Sequence, residues 1–185
     1  MSPLARFGAR VSLNISTALL TAAALAVSAP AHAQGGAQVE RGRYLVQITG
    51  CHDCHSPKVE GMTPDLKRAL SGRPGTTPLP TAAKGEVHAS LDLTAWQGPW
   101  GSSVASNLTP DPATGLGTRY NEASFIATMR TGKKPNGTAI MPPMPSDVYK
   151  NMTDDDLKAI FAYLRTIPAI RNAVYAGITP AAAPK

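Results

Sequence analysis

Five consecutive residues, Cys51-His52-Asp53-Cys54-His55, constrain this chain more than any other stretch of it. Two thiols three positions apart fall within one helical turn, so both can reach one edge of a flat group. His55 follows at once, and its imidazole can rise from the same turn. Cys-x-x-Cys-His at this spacing is the pattern of covalent haem attachment, with both thiols in thioether bonds and the histidine as proximal iron ligand. The chain has 2 cysteines and both lie in this run. No thiol is left for a disulfide, a zinc site or a second attachment, so one covalently bound haem c is the ceiling. A bare metal ion would lack a set of four ligands here.

The first 33 residues read as an export signal. Arg6 and Arg10 give a positive start, an apolar run from about Val11 to Ala29 follows, and Ala31-His32-Ala33 is a small-x-small cleavage pattern. Cleavage after Ala33 would place the mature start at Gln34, in the periplasm. Polar residues (Ser12, Asn14, Ser16, Thr17, Thr21) interrupt the apolar run and disfavour an uncleaved anchor. Membrane contact is expected only if this segment is retained. Nothing later approaches the roughly 20 apolar residues of a spanning helix. The formal charge is +6, of which the leader supplies two. The remaining bases are scattered and not interleaved with aromatics, which argues against nucleic-acid binding.

Past the leader, one domain is expected over 34–170. Gln38 to Thr49 is a helix candidate, with Tyr44, Leu45 and Ile48 able to share a face and Gly50 as its stop. From about Ser56 to Thr118 the chain is rich in Gly, Pro, Ser and Thr, and so long a loop is unusual unless it wraps something. A helical turn is expected near Pro64 to Leu70, and a short hairpin arm from Glu86 to Leu93. Asn121 to Thr131 predicts a helix capped by Asn121 and ended by Gly132. The clearest element starts at Thr153, loads Asp154, Asp155 and Asp156 onto the positive helix end, carries the stripe Leu157, Ile160, Phe161, Leu164 and Ile167, and stops at Pro168. Residues 171–185 are expected to form a flexible tail.

The sixth iron ligand decides what such a haem does. Five methionines follow the leader. Met129 and Met152 read as core, and Met62 lies in a polar segment. Met141 and Met144 sit in Ile140-Met141-Pro142-Pro143-Met144-Pro145, where prolines fix the backbone and leave a thioether presented from a rigid loop. His52 lies inside the attachment turn. His88 is a loop histidine, more often simply exposed.

Several further runs accompany these features: Arg41-Gly42-Arg43-Tyr44-Leu45, Gly98-Pro99-Trp100-Gly101, Asn107-Leu108-Thr109-Pro110-Asp111 through Gly117, Met129-Arg130-Thr131-Gly132, Pro143-Met144-Pro145, and Met152-Thr153-Asp154 through Arg165. With the attachment run, they make the chain from about Val39 to Ile170 resemble the monohaem class I c-type cytochromes. More narrowly, it resembles the cytochrome c domains of periplasmic quinohaemoprotein alcohol dehydrogenase and gluconate dehydrogenase systems. The resemblance implies an all-α fold of short helices around one haem, with a loop-rich insertion. It implies Met144, with Tyr149 five residues on, as the distal iron ligand, leaving Met141 as fallback. It also implies that a helix carrying Gly42 and Tyr44 crosses the C-terminal helix near Phe161 and Tyr163. Trp96, Trp100 and Asn107 would line the propionate side. Ser146 departs from the pattern, which often has an aromatic there.

The leading expectation is a non-enzymatic one-electron carrier, relaying electrons from a dehydrogenase to the respiratory chain, with Lys58, Lys133, Lys134 and Lys150 as a docking rim. A haem subunit of a multi-subunit dehydrogenase is the second reading. A haem enzyme or gas sensor with an open sixth site is the third.

Overall fold

The computed structural model describes residues 31–175. The expected leader lies outside them except for Ala31 to Ala33, and residues 176–185 of the expected tail lie outside them as well. Helix α1 runs Ala31–Ile48, through the expected cleavage point and past Gly35-Gly36. Its packing is set by Gly42. A Cβ there would stand 1.9 Å from the carbonyl oxygen of Ala159 and 2.8 Å from Tyr163 Cβ. Only a glycine lets the two helix backbones approach so closely. Leu45 and Val46, three and four residues on, are buried on the same face. Tyr44 falls outside that stripe. It is 50% exposed, with the Arg41 guanidinium 5.7 Å from its ring centre, so it does not fill the crossing. Ile48 is exposed for the same reason, and the face expected from Tyr44, Leu45 and Ile48 is displaced by that of Gly42.

The partner in this crossing is α5, Asp154–Leu164. The Thr153 side chain accepts from the Asp156 N–H at 3.1 Å, and Leu157, Ile160, Phe161 and Leu164 are buried. The helix stops three residues before the expected Ile167, where the Arg165 N–H is shared between Phe161 and Ala162 carbonyls. Ile167 still packs on the core. Helix α3, Glu122–Thr131, has a reciprocal cap: Asn121 accepts from the Ser124 N–H, and Ser124 accepts from the Asn121 N–H. Gly132 ends it with φ 66°. Phe125 of α3 meets Phe161 of α5 with ring centres 5.3 Å apart, a tilted pair. Between these helices lie two short ones, α2 (Cys51–His55) and the single turn α4 (Ser146–Tyr149).

The fold is not all-α. Within the long loop region three strands, β1 (His88–Ala89), β2 (Ala95–Gly98) and β3 (Gly101–Val104), form an antiparallel sheet in the order β1-β2-β3. Trp96 pairs with Ser103, and Pro99-Trp100 makes the turn. These strands are two to four residues long and carry few β-branched residues, so their sequence signal is weak. The expected turn near Pro64 to Leu70 is a 3-10 turn at Leu66–Arg68.

The loop region is held by buried polar groups that satisfy one another. Asn107 is fully buried. Its amide donates to Ile170 O at 2.7 Å and Thr114 Oγ1 at 3.0 Å, and its oxygen accepts from Thr109 N and Oγ1. The chain after α5 is drawn into the same network. The Asn172 amide donates to Ser71 O and Arg73 O, Arg73 donates to Val174 O, and Val174 is 3% exposed. Within 171–175, expected as the start of a flexible tail, Asn172 and Val174 are therefore anchored, while Arg171, Ala173 and Tyr175 stay exposed.

Two outcomes are expected. Gly42→Ala should cost about 1–3 kcal/mol by overpacking, measured as a lower denaturant midpoint at unchanged slope. Asp111 caps the following turn. Hydrogen bonds from the Thr114 side chain and N–H hold its carboxyl below the ordinary 3.8. Its contribution is complete above 3.8 and is lost as pH falls through the lower folded value. Acid unfolding of Asp111→Asn should therefore lack that step while neutral-pH stability is already reduced.

Candidate functional site

Helix α2 begins after Gly50, which sits in the left-handed region at φ 72° and turns the chain sharply out of α1. Placed this way, Cys51, Cys54 and His55 all line one cavity. Its volume is about 220 Å³, and it opens to solvent. Most of the lining is apolar. Leu108 and Leu116 come from the loop region, Phe125 and Met129 from α3, Ile160 and Leu164 from α5. Met141 and Met144 line it as well, from the proline-rich turn. Cys51, Cys54, His55, Met144 and the fallback Met141 thus all line the same cavity.

His55 is 9% exposed, and its Nδ1–H donates to the Ser106 carbonyl at 2.8 Å. Burial pushes its pKa below 6.5, so the ring is neutral at neutral pH. A carbonyl only accepts. Nδ1 therefore carries the proton, and Nε2 keeps its lone pair as a ligand needs. The backbone of His55 is fixed too, since its carbonyl accepts from the Gly72 N–H at 2.7 Å. Gly72 lies at φ 78°, and a Cβ there would stand 2.6 Å from the Ala105 carbonyl oxygen.

Cys51 and Cys54 are not joined to each other, and burial raises the pKa of each thiol. Among the described residues no group of three or more His, Cys, Asp or Glu is placed to hold a bare metal ion. One imidazole, two thiols on one turn and thioethers around an apolar cavity fit a flat macrocycle attached at one edge. They do not fit a structural zinc site.

Met144 is partly buried, and Met141 is 37% exposed. The turn between them closes with the Met144 N–H on the Met141 carbonyl at 3.3 Å. Tyr149 of α4 donates through its hydroxyl to the Thr49 carbonyl at 2.7 Å. Met129 and Met152, expected in the core, touch the core and also line the cavity. Met62 is exposed and outside it. Trp96 and Asn107 line the cavity, whereas Trp100 does not, and its Nε1–H donates to Ser103 Oγ at 3.2 Å. The polar atoms of Asn107 are occupied in the loop network, so its part is structural. His52 bonds Ser56 Oγ, and His88 pairs with Glu86 on the surface. Neither lines the cavity.

The expected docking rim changes most. The Lys58 ammonium donates to the carbonyls of His52 (3.2 Å), Asp53 (2.8 Å) and Ser56 (2.7 Å). It caps the end of the attachment turn. Lys150 pairs with Asp147 at 2.6 Å. Lys134 lies at the cavity, against the Tyr175 ring and hydroxyl. No sequence pattern marks Tyr175, Ser106 or Gly72, because their roles arise from contacts dozens of residues away.

A family model described as "Cytochrome c" matches residues 39–168. The gluconate 2-dehydrogenase cytochrome c subunit of Pantoea cypripedii is 32% identical over 127 residues, 69% of this chain and 22% of that one. The cytochrome c subunit of the quinone alcohol dehydrogenase of Gluconobacter oxydans is 28% identical over 135 residues, 72% of this chain and 22% of that one. A nicotinate dehydrogenase component of Pseudomonas putida is 29% identical over 168 residues, which is 90% of this chain and 12% of that protein. The chain thus spans about a fifth or less of the length of these relatives.

The position of Lys58 yields a test. Lys58→Met should lower stability by about 1–3 kcal/mol, because three carbonyls lose a charged donor. Urea unfolding checks this. An unchanged midpoint, with altered salt dependence of partner reduction, would instead make Lys58 a docking residue.

Proposed function

The chain belongs to the cytochrome c family, and we propose that it is a periplasmic one-electron carrier with a single haem c of the class I type. The observation that carries this reading is the meeting of Cys51, Cys54, His55 and Met144 in one mostly apolar cavity. Cys51 and Cys54 would hold the group covalently, with His55 as proximal and Met144 as distal iron ligand. A haem so bound takes up and returns one electron, and histidine–methionine ligation raises its potential. The residues of the chain do the rest. His55 is oriented by the Ser106 carbonyl, and that bond makes its Nε2 more basic. The apolar walls exclude water and favour the less charged state. Met144 closes the position that a substrate would need, which separates a carrier from an enzyme or gas sensor.

Residues 1–33 would direct export, with cleavage after Ala33. Among the described residues no helix is long and apolar enough to cross a membrane. The proposed donor is a dehydrogenase and the proposed acceptor a component of the respiratory chain. The names of the relatives support a second reading, that the chain works as the haem subunit of such a dehydrogenase rather than as a free carrier. Co-purification with a large catalytic subunit separates the two.

The ligand set is tested on the ferric holoprotein, through the weak charge-transfer absorption of an iron–thioether bond. Met144→Ala should abolish it and allow the ferrous protein to bind carbon monoxide, whereas Met141→Ala should keep it. Loss only in Met141→Ala would move the ligand to Met141. Ready carbon monoxide binding by the unaltered protein would favour an open site. Intact mass should show one haem on a chain that begins at Gln34.

A further inference from the structure

The segment carrying Met144 has little internal support. Pro142 and Pro143 have no N–H to give, and α4 is a single turn. Its own bonds are local: Met144 N–H to Met141 O at 3.3 Å, and Ser146 N–H to Met144 O at 2.8 Å. Three hydrogen bonds fasten residues 140–149 to earlier parts of the described chain. The Ile140 N–H donates to Gly132 O at 2.7 Å, which ties the start of the segment to the end of α3. Ser103 Oγ donates to Pro142 O at 2.5 Å, tying it to β3. The Tyr149 hydroxyl donates to Thr49 O at 2.7 Å, across 100 positions of sequence.

The last of these is the one that reaches the attachment side. Thr49 is two residues before Cys51. Its carbonyl is set by the last turn of α1, where the Thr49 N–H and hydroxyl both bond Leu45 O, and its Oγ1 lies 3.4 Å from Cys51 Sγ. Tyr149 is 9% exposed. Burial pushes its pKa up to about 12, so the phenol remains a donor at any working pH. A carbonyl that loses its partner in a buried place is left unsatisfied.

We propose that Tyr149, assisted by Ser103, is a positioning residue that clasps the Met144 segment to the attachment turn and thereby sets how easily Met144 is displaced from iron. The inference rests on the ligand assignment above. Tyr149 lines the cavity, and its hydroxyl is taken up by Thr49 O. It acts through the segment it fastens, because moving Met144 aside requires the segment to shift against the Tyr149–Thr49 bond.

Imidazole titration of the ferric holoprotein tests the clasp, since imidazole must displace the thioether. Tyr149→Phe keeps the ring and removes the donor, and should tighten apparent imidazole binding by about tenfold. Ser103→Ala removes the bond to Pro142 O together with the acceptor of the Trp100 Nε1–H, and should act in the same direction by about two- to fivefold. In a Met144→Ala background there is no thioether to displace, so neither change should add anything. Equal effects of Tyr149→Phe with and without Met144 would mark a general structural role and overturn the proposal. Unchanged imidazole affinity in both variants, with a thioether band that Met144→Ala abolishes, would overturn the clasp alone. Absence of that band from the unaltered protein would sink the ligand assignment and the clasp together.

Discussion

The hydrogen bond from His55 Nδ1 to the Ser106 carbonyl is the contact on which the site depends. It selects the tautomer that leaves Nε2 free to ligate, and it locks the ring orientation. For that to work, a backbone oxygen 51 residues further along must be held at one place beside α2. The flanking bonds hold it there: Ala105 N–H to Thr94 O, Arg73 N–H to Ala105 O, and Leu108 N–H to Leu70 O. The long Gly- and Pro-rich region is therefore the scaffold of the His55 side of the cavity. Its buried polar residues, Thr94, Asn107 and Thr109 among them, are satisfied by one another and by backbone, as burial requires.

What the sequence made legible is local. Caps at Asn121 and Thr153 are written in adjacent residues, because a cap is an interaction over three positions. The attachment turn is likewise five residues long. Gly42 at a helix crossing followed from resemblance, and the 1.9 Å approach gives its physical cause. Features built from distant contacts stayed hidden. Lys58 read as part of a docking rim, since nothing nearby in the sequence shows that three carbonyls converge on it. Tyr44 read as a crossing residue because aromatic character outweighed its position off the Gly42–Leu45–Val46 stripe. Residues 171–175 read as the start of a tail because the run that follows, Pro180 to Lys185, has too little to bury, whereas their anchoring runs through Asn172 and backbone carbonyls. Of the sheet, only the arm around β1 was legible, within the hairpin arm expected from Glu86 to Leu93; β2 and β3 escaped because strands this short depend on partners more than on propensity.

The two sides of the cavity are held in different ways, and that difference carries a functional argument. On the His55 side, backbone bonds from separate stretches of chain converge, so releasing the ring means dismantling a buried network. On the Met144 side, a proline-rich turn and one helical turn are fastened at a few points. A thioether is also a poorer donor to iron than an imidazole. With a haem held as proposed, any exchange of ligand would fall on the methionine side, while the histidine and the two attachment points stayed fixed. For the proposed electron relay this division would be useful. The rigid side would hold the group in place between oxidation states, and the more pliable side is where sequence changes would alter potential and ligand access without threatening the fold. Tyr149 sits where the two sides meet, joining the pliable segment to the turn that holds both thiols.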